Sequence, residues 1–481
     1  MLSGIVKTGM LYDAVVVGAG PNGLTAAVVL AEAGCSTLVV EASETVGGGS
    51  RTAELTLRGF RHDVCATAHP LGRGSPVFRR LPLARYGLRW VHPPVALAHP
   101  LDNGEVVVLR RSTEETSEGL GADAVGYRRR IEDIDRMWSR IENRLLGPAL
   151  GSWSDPLGTL KLASFARPAS WDVRRFKGLA ARSLLAGSAA HSVMPLGRLF
   201  TAGVGWLLLA GGHRYGWPFV SGGSQALVDA LASHFTDMGG EIETGRRITD
   251  LAQLPPSRVV LADVAPGALI DMLGEEGSGR KARVGGGFRH GPGVFKLDWA
   301  LSRPVPWTDD RMAKAGVLHL GGDHRQIALA EQMVWRGRIP DRPFVVAAQP
   351  SRFDPSRAPD GKHTLWAYTH VPRGSSADMR AAVEAEIERH APGFSQTVLA
   401  RHAVSASEWE SYNPNYVGGD IGGGALGVRR VLRGPFGGWT PYGTGADGVY
   451  LCSSSTPPGA GVHGMCGYHA AQAALEKIKS G

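Results

Sequence analysis

The sequence predicts an α/β protein. One domain is assembled from separate parts of the chain and interleaved with a second domain of mixed sheet and helices. Three observations predict this. Gly18-Ala19-Gly20-Pro21-Asn22-Gly23 lies between an apolar run, Ala14 to Val17, and a helix-like run, Leu24 to Ala33. A second apolar run, Thr37 to Val40, ends in Glu41. Far along the chain, Gly448 to Leu451 reads as a strand and leads into a second glycine series, Gly459, Gly461 and Gly464, followed by a helical run.

The first element is a strand that turns sharply into a helix. Such a turn leaves backbone N–H groups pointing outward at the positive end of the helix, where a pyrophosphate binds. Gly18 permits the turn, Gly20 lets a phosphate approach, and Gly23 lets helix pack on strand. Glu41 follows about 20 residues later, where the ribose-binding acid of a dinucleotide site belongs. A lone GxGxxG is weak; strand, helix, second strand and terminal acid in order make a Rossmann-like unit the specific reading. The next element, Gly47-Gly48-Gly49 with Arg51, lets backbone approach a ligand beside a cation. Its competing reading is a flexible loop with an exposed arginine.

The second glycine series does not open another dinucleotide domain. Fewer residues follow Gly464 than the roughly 30 that a βαβ unit needs. The segment is expected to complete the first site, with Ser454, Gly461, Val462 and His463 facing the ligand.

These motifs resemble a known group. The Gly48, Gly49, Arg51 segment is similar to the second glycine signature of glutathione-reductase-like flavoproteins. Tyr450 to Gly467 (YLCSSSTPPGAGVHGMCG) resembles the closing segment of phytoene-desaturase-type FAD oxidoreductases. So does Ser221-Gly222-Gly223-Ser224-Gln225-Ala226-Leu227 with Gly240 to Gly245. Asn413-Pro414-Asn415 with Gly418 to Gly424 resembles the branch that includes pyridine nucleotide-disulfide oxidoreductase domain 2 proteins. One departure stands out: Ser453-Ser454 occupies the place where many related flavoproteins have Gly-Asp against the ribityl chain.

The resemblance implies FAD as cofactor and a Rossmann-like FAD-binding domain of the glutathione-reductase-like type. It implies transfer of hydride from a lipophilic or conjugated substrate to flavin N5, leaving a C=C bond. The partners implied are a small lipophilic substrate and an electron acceptor, whether oxygen, a quinone or another. The FAD domain is expected over residues 10–75, 216–285 and 440–481. The substrate domain is expected over 76–215 and 286–439, with a helical cap at about 123–213. Three rivals stay open: an amine oxidase forming C=N with peroxide release, a flavin-dependent isomerase or saturase, and a non-enzymatic flavin-bearing interaction protein.

The remaining elements follow in order. Leu88 to His92 and Val106 to Leu109, joined through Asp102-Asn103-Gly104, read as a hairpin. Ile131, Ile134, Met137, Trp138 and Ile141 repeat at helical spacing. Lys161 to Arg182 combines six basic residues with Phe165, Trp171 and Phe176. It reads either as a solvated helical face or as a basic amphipathic helix lying on a membrane. Val259 to Ala262 reads as a buried parallel strand. Beyond residue 293, strands at Val294 to Trp299, Phe344 to Ala348, Thr364 to Thr369 and Val398 to Val404 surround one helix, Met379 to Arg389. Residues 274–288 read as a connector.

Candidate catalytic residues come from segments expected to reach the ligand. His69 and His463 can titrate near neutral pH, and Tyr412 precedes the glycine-rich loop with Asn413 and Asp420. For each, a purely structural role competes.

Other classes are excluded by what is missing. There is no GxSxG elbow for a hydrolase and no Cys-x-x-Cys redox pair. The 16 histidines show no paired metal spacing. The net charge of +8 comes without a basic run interleaved with base-stacking aromatics, so no nucleic-acid partner is expected. Met1 to Leu11 lacks a signal-peptide pattern, and no apolar stretch reaches the ~18 residues of a spanning helix. A cytoplasmic protein is expected, with peripheral contact at the inner membrane surface as its variant. The four cysteines are expected to be reduced packing thiols, with a flavin thioether as the alternative for Cys452 and Cys466.

Overall fold

Tyr12–Val17 (YDAVVV) is buried at every position but one, so it must be covered on both faces. It forms the centre of a five-stranded, all-parallel sheet, ordered 449–451, 257–262, 12–17, 37–40, 241–243. The computed structural model describes residues 11–147, 165–274, 288–438 and 440–480. The expected connector at 274–288 and the start of the basic segment, Lys161 to Leu162, lie largely or wholly outside the described residues, as does the side chain of Ile141.

Register decides what this sheet presents. Val17 pairs with Val40 and with Ala262, and Ala262 pairs with Leu451. The residues that follow these strands (Gly18, Glu41, Asp263 and Cys452) therefore emerge side by side at one carboxyl edge, where open α/β sheets bind ligands. Helix Pro21–Glu32 starts there. Proline in its first turn costs no hydrogen bond, and Asn22 through Leu30 are all buried. Helices Gln225–Asp237 and Met465–Ser480 pack against it. A Cβ on Gly467 would overlap Asn22 O, so glycine is required for that close crossing.

A seven-stranded mixed sheet lies above, ordered 398–404, 293–301, 363–371, 345–348, 315–320, 95–100, 106–109. Neighbours are antiparallel except Ala315–Leu320 beside Val95–Pro100. The hairpin partner of Val106–Leu109 is Val95–Pro100, not Leu88 to His92. Trp90–Val91 instead pairs with Phe219–Val220. Pro100, the last residue of its strand, closes the ladder without breaking it. Strand Ala315–Leu320 and helix His324–Trp335 were not anticipated; the helix is capped by Asp323, which accepts the N–H groups of Arg325 and Gln326.

Helices Leu179–Ala190 and Thr201–Tyr215 cover the face of this sheet, and helix Ala124–Leu145 packs on the second of them. Tyr127, Ile131, Ile134 and Trp138 form the buried stripe of helix Ala124–Leu145. The basic segment is not one helix. Ala169–Val173 stops, and the Asp123 carboxylate accepts the Lys177 and Gly178 N–H groups before the next helix starts. Gly187 lets that next helix sit on the sheet: a Cβ there would meet His319 Nδ1 at 2.7 Å and His99 Nδ1 at 3.0 Å. Among the described residues no helix is long and apolar enough to cross a membrane.

Candidate cofactor and substrate site

The carboxyl edge of the parallel sheet forms a cradle of backbone. Gly18 has φ +100°, and a Cβ on Gly20 would lie 2.7 Å from Asp263 Oδ2. A Cβ on Gly48, whose φ is +52°, would lie 3.1 Å from Gly20 Cα. Gly23 admits no Cβ either, because Gly18 O occupies the place. Glycine at these positions keeps the loop backbone bare, with the Asp263 carboxyl the one side chain against the helix start.

Glu41 does more than end a strand. Its Oε2 accepts the Ala19 N–H at 2.7 Å, and its Oε1 accepts the Ser43 N–H at 2.9 Å. Arg51 reaches the same Oε1 at 3.3 Å and also donates to Thr45 O at 2.8 Å. Glu41 and Arg51 thus tie the first glycine loop to the second. Asp263 was missed as a site residue, although it follows its apolar run as Glu41 follows its own. It lies half-buried at the cavity wall, and its Oδ2 accepts the Gly23 N–H at 2.9 Å. Burial pushes its carboxyl up to about 7, with Glu41 repulsion adding and the Gly23 N–H opposing.

The closing segment and the glycine-rich loop form the opposite wall. Ser454, Gly461, Val462 and His463 line the cavity, as do Asn413 and Asp420. Arg430, also missed, is buried between the two. It donates to Ser455 O at 3.2 Å, Ser454 O at 2.6 Å and Gly422 O at 3.2 Å, and also to Gly424 O. One guanidinium with several donors thus stitches both segments together. A Cβ on Gly49 would overlap the Tyr416 hydroxyl.

The three candidate catalytic residues all line the cavity but differ in what they have free. Tyr412 donates its hydroxyl to Gly48 O at 2.9 Å, and burial pushes it up to about 12. His463 Nδ1 accepts the Met465 N–H at 3.0 Å, and its ring lies against the Gly459 and Ala460 carbonyls. Both are committed to holding loops. His69 Nε2 lies 2.8 Å from Ser224 Oγ, which itself donates to Ala66 O at 2.7 Å. The proton is therefore on Nε2, and Nδ1 carries a buried lone pair with no partner among the described residues. Burial holds both histidines down to about 4, so both are neutral. Burial raises Cys65 and Cys466 to about 11 and Cys452 well above its ordinary value, so these thiols are protonated and unreactive. No group of three residues suited to a metal occurs among the described residues.

Cradle and wall open into a single cavity of about 690 Å³. At its far end the lining comes from the cap helices and the seven-stranded sheet: Val204, Leu207, Leu208, Val317, Val346 and Trp366. The residues present fit FAD. Glycines with no room for Cβ face the pyrophosphate position, a buried acid and an arginine sit at the second strand, and an apolar chamber continues beyond.

Residues 16–81 match the family model described as NAD(P)-binding Rossmann-like domain. The chain is 26% identical to mouse pyridine nucleotide-disulfide oxidoreductase domain-containing protein 2, over 98% of this chain and 94% of that protein. It is 24% identical to the lycopene-forming phytoene desaturase of Pseudescherichia vulneris, over 96% and 98% respectively. The fold is that of cyclohexylamine oxidase from Brevibacterium oxydans, with a TM-score of 0.60 at 14% identity, over 98% of this chain and 99% of that one. The resemblance carried by the glycine motifs therefore extends over nearly the whole chain.

Proposed function

We propose that this protein, an FAD-dependent oxidoreductase similar to the phytoene desaturases, removes two hydrogens from a lipophilic or conjugated substrate and leaves a C=C bond. The observation that carries this reading is the continuity of the cavity: the dinucleotide cradle runs without a break into a chamber walled by aliphatic and aromatic side chains. FAD, when bound, supplies the two-electron acceptor for hydride. Val204, Leu207, Leu208, Val317 and Val346 hold an apolar substrate. The proton from the carbon beside the one that loses hydride passes to water, while His69, neutral and bonded to Ser224, holds the wall beside it. An outside acceptor, oxygen or a quinone, completes the cycle. Delivery from a membrane surface belongs to the same reading. Trp171 is 57% exposed and Leu179 39% exposed, and exposed Arg174, Arg175 and Lys177 lie between them.

Amine oxidation has less support. The carboxylates lining the cavity are Glu41, Asp263 and Asp271 of the parallel-sheet domain and Asp420 of the glycine-rich loop, and among the described residues none stands with Val204, Leu207, Leu208, Val317 and Val346 at the chamber end.

The test is anaerobic mixing of the yellow holoprotein with a panel of alkenes and terpenoids. Bleaching of the flavin colour and a product lighter by two hydrogens is the expected outcome. Bleaching only by amines, with peroxide on admitting air, replaces desaturation by amine oxidation. No bleaching by any compound that binds removes the redox reading.

A further inference from the structure

Strand pairing sets polar side chains in a row behind the apolar chamber. His319 pairs with Val346, and Val346 with Tyr368, so His319 and Tyr368 stand on one face of the seven-stranded sheet with a valine between them. His191, at the end of helix Leu179–Ala190, comes down onto this row. Its Nε2 lies 2.8 Å from His319 Nε2. The Trp217 ring abuts it edge-on, with centroids 5.6 Å apart. His319 is completely buried and is itself backed by His99, whose Nε2–H donates to Gly322 O at 2.9 Å. His191 is therefore fixed from behind, and Nδ1 is the ring atom left for the cavity.

The chamber end has hydrogen-bonding capacity that the chain does not use. The Tyr368 hydroxyl makes one long hydrogen bond, 3.4 Å to His191 Nδ1, and a hydroxyl that can both donate and accept keeps capacity beyond it. Ser192 Oγ and Trp366 Nε1, on two further residues of the same wall, have no partner among the described residues. Those two atoms are already enclosed, so the group that meets a ligand is the Tyr368 hydroxyl, and a hydrocarbon against it would leave its second hydrogen bond unmade, which is unfavourable. Burial pushes His191 down to about 3 and Tyr368 far above its ordinary value, so a neutral partner suits both. The His191–His319 contact allows two tautomers. In one, His191 Nδ1 accepts; in the other it donates. A hydroxyl, both donor and acceptor, fits either, and a carbonyl fits the second.

We propose that this end of the chamber recognises one hydroxyl or carbonyl group on an otherwise apolar substrate, with His191 and Tyr368 as its hydrogen-bonding partners. The inference rests on reading the chamber as the substrate site. It narrows the substrate class to oxygen-bearing lipophiles.

The test measures binding of two matched ten-carbon probes, geraniol and its hydrocarbon counterpart myrcene, to the holoprotein by perturbation of the flavin spectrum and by saturation-transfer NMR. The alcohol should bind about tenfold more tightly than the hydrocarbon. His191→Phe should lower alcohol affinity to the hydrocarbon level, His191→Gln should keep part of the preference, and Tyr368→Phe should lose part of it. Retained flavin colour in each variant shows that the fold is intact. Equal affinities in the unaltered protein, a preference that survives His191→Phe, or failure of both probes to bind would each overturn the proposal. A preference for the alcohol without any flavin bleaching leaves the recognition site standing and counts only against the desaturase reading.

Discussion

Asp263 Oδ2 accepts the N–H of Gly23 at 2.9 Å, which puts a side-chain carboxyl against the helix end where the cofactor's phosphates belong. Its folded-state carboxyl titrates at about 7, against an ordinary value of 3.8. Between those values the folded state keeps a proton that the unfolded chain has shed, so stability falls as pH rises across that window. Asp263→Asn removes the titration and keeps an acceptor for Gly23. Cofactor-free Asp263→Asn should exceed the unaltered protein in stability by on the order of 2 to 4 kcal/mol at pH 8, and by much less at pH 5. Urea melts at the two pH values measure this, and an equal difference at both would refute the assignment.

Gly20→Val should yield colourless protein. The new side chain would start 2.7 Å from Asp263 Oδ2 and fill the pyrophosphate approach. The ratio of visible to ultraviolet absorbance after purification reads this directly, and a yellow preparation would contradict the cradle.

Glu41→Ala should weaken FAD retention at least about tenfold and also destabilise the fold. Sequence reasoning expects only a lost ribose contact. The structure adds that the Ala19 and Ser43 N–H groups lose their acceptor, at a cost of about 1 to 3 kcal/mol. Thermal melting of the cofactor-free variant separates this loss from the loss of affinity.

Arg430→Leu should cost about 3 kcal/mol or more, because the carbonyls of Gly422, Gly424, Ser454 and Ser455 are left without their donor. The glycine-rich loop should become the first site of limited proteolysis. A loop as resistant as before would show that the stitch is dispensable.

Trp171→Ser with Leu179→Ser should lower sedimentation with phosphatidylglycerol-containing vesicles severalfold, since both side chains are exposed among basic neighbours. Unchanged sedimentation, or none with the unaltered protein, removes the membrane element of the proposed function.

The cradle was legible because each of its parts is local. Gly18, Gly20, Gly23 and Glu41 announce themselves through strand, turn and helix within one short stretch. Arg430 left no trace of that kind: it acts on carbonyls from two loops that meet only in three dimensions. His191 and Tyr368 were hidden for a related reason, since a helix end and a strand of the mixed sheet meet only through tertiary packing and no periodicity encodes it. The misplaced hairpin has a simpler cause. Both Leu88 to His92 and Val95–Pro100 precede the same turn, and only tertiary pairing selects the second as the partner of Val106–Leu109.

Helix Met465–Ser480 packs on helix Pro21–Glu32 through the crossing at Gly467 and Asn22. During translation, the amino-terminal layer must wait for almost all of the later chain before its covering arrives. Until then it presents an apolar helix flank with nothing over it. At ribosomal rates the helix Met465–Ser480 follows about 20 to 90 s after Pro21–Glu32, and for that interval this flank lacks the cover that Gly467 brings.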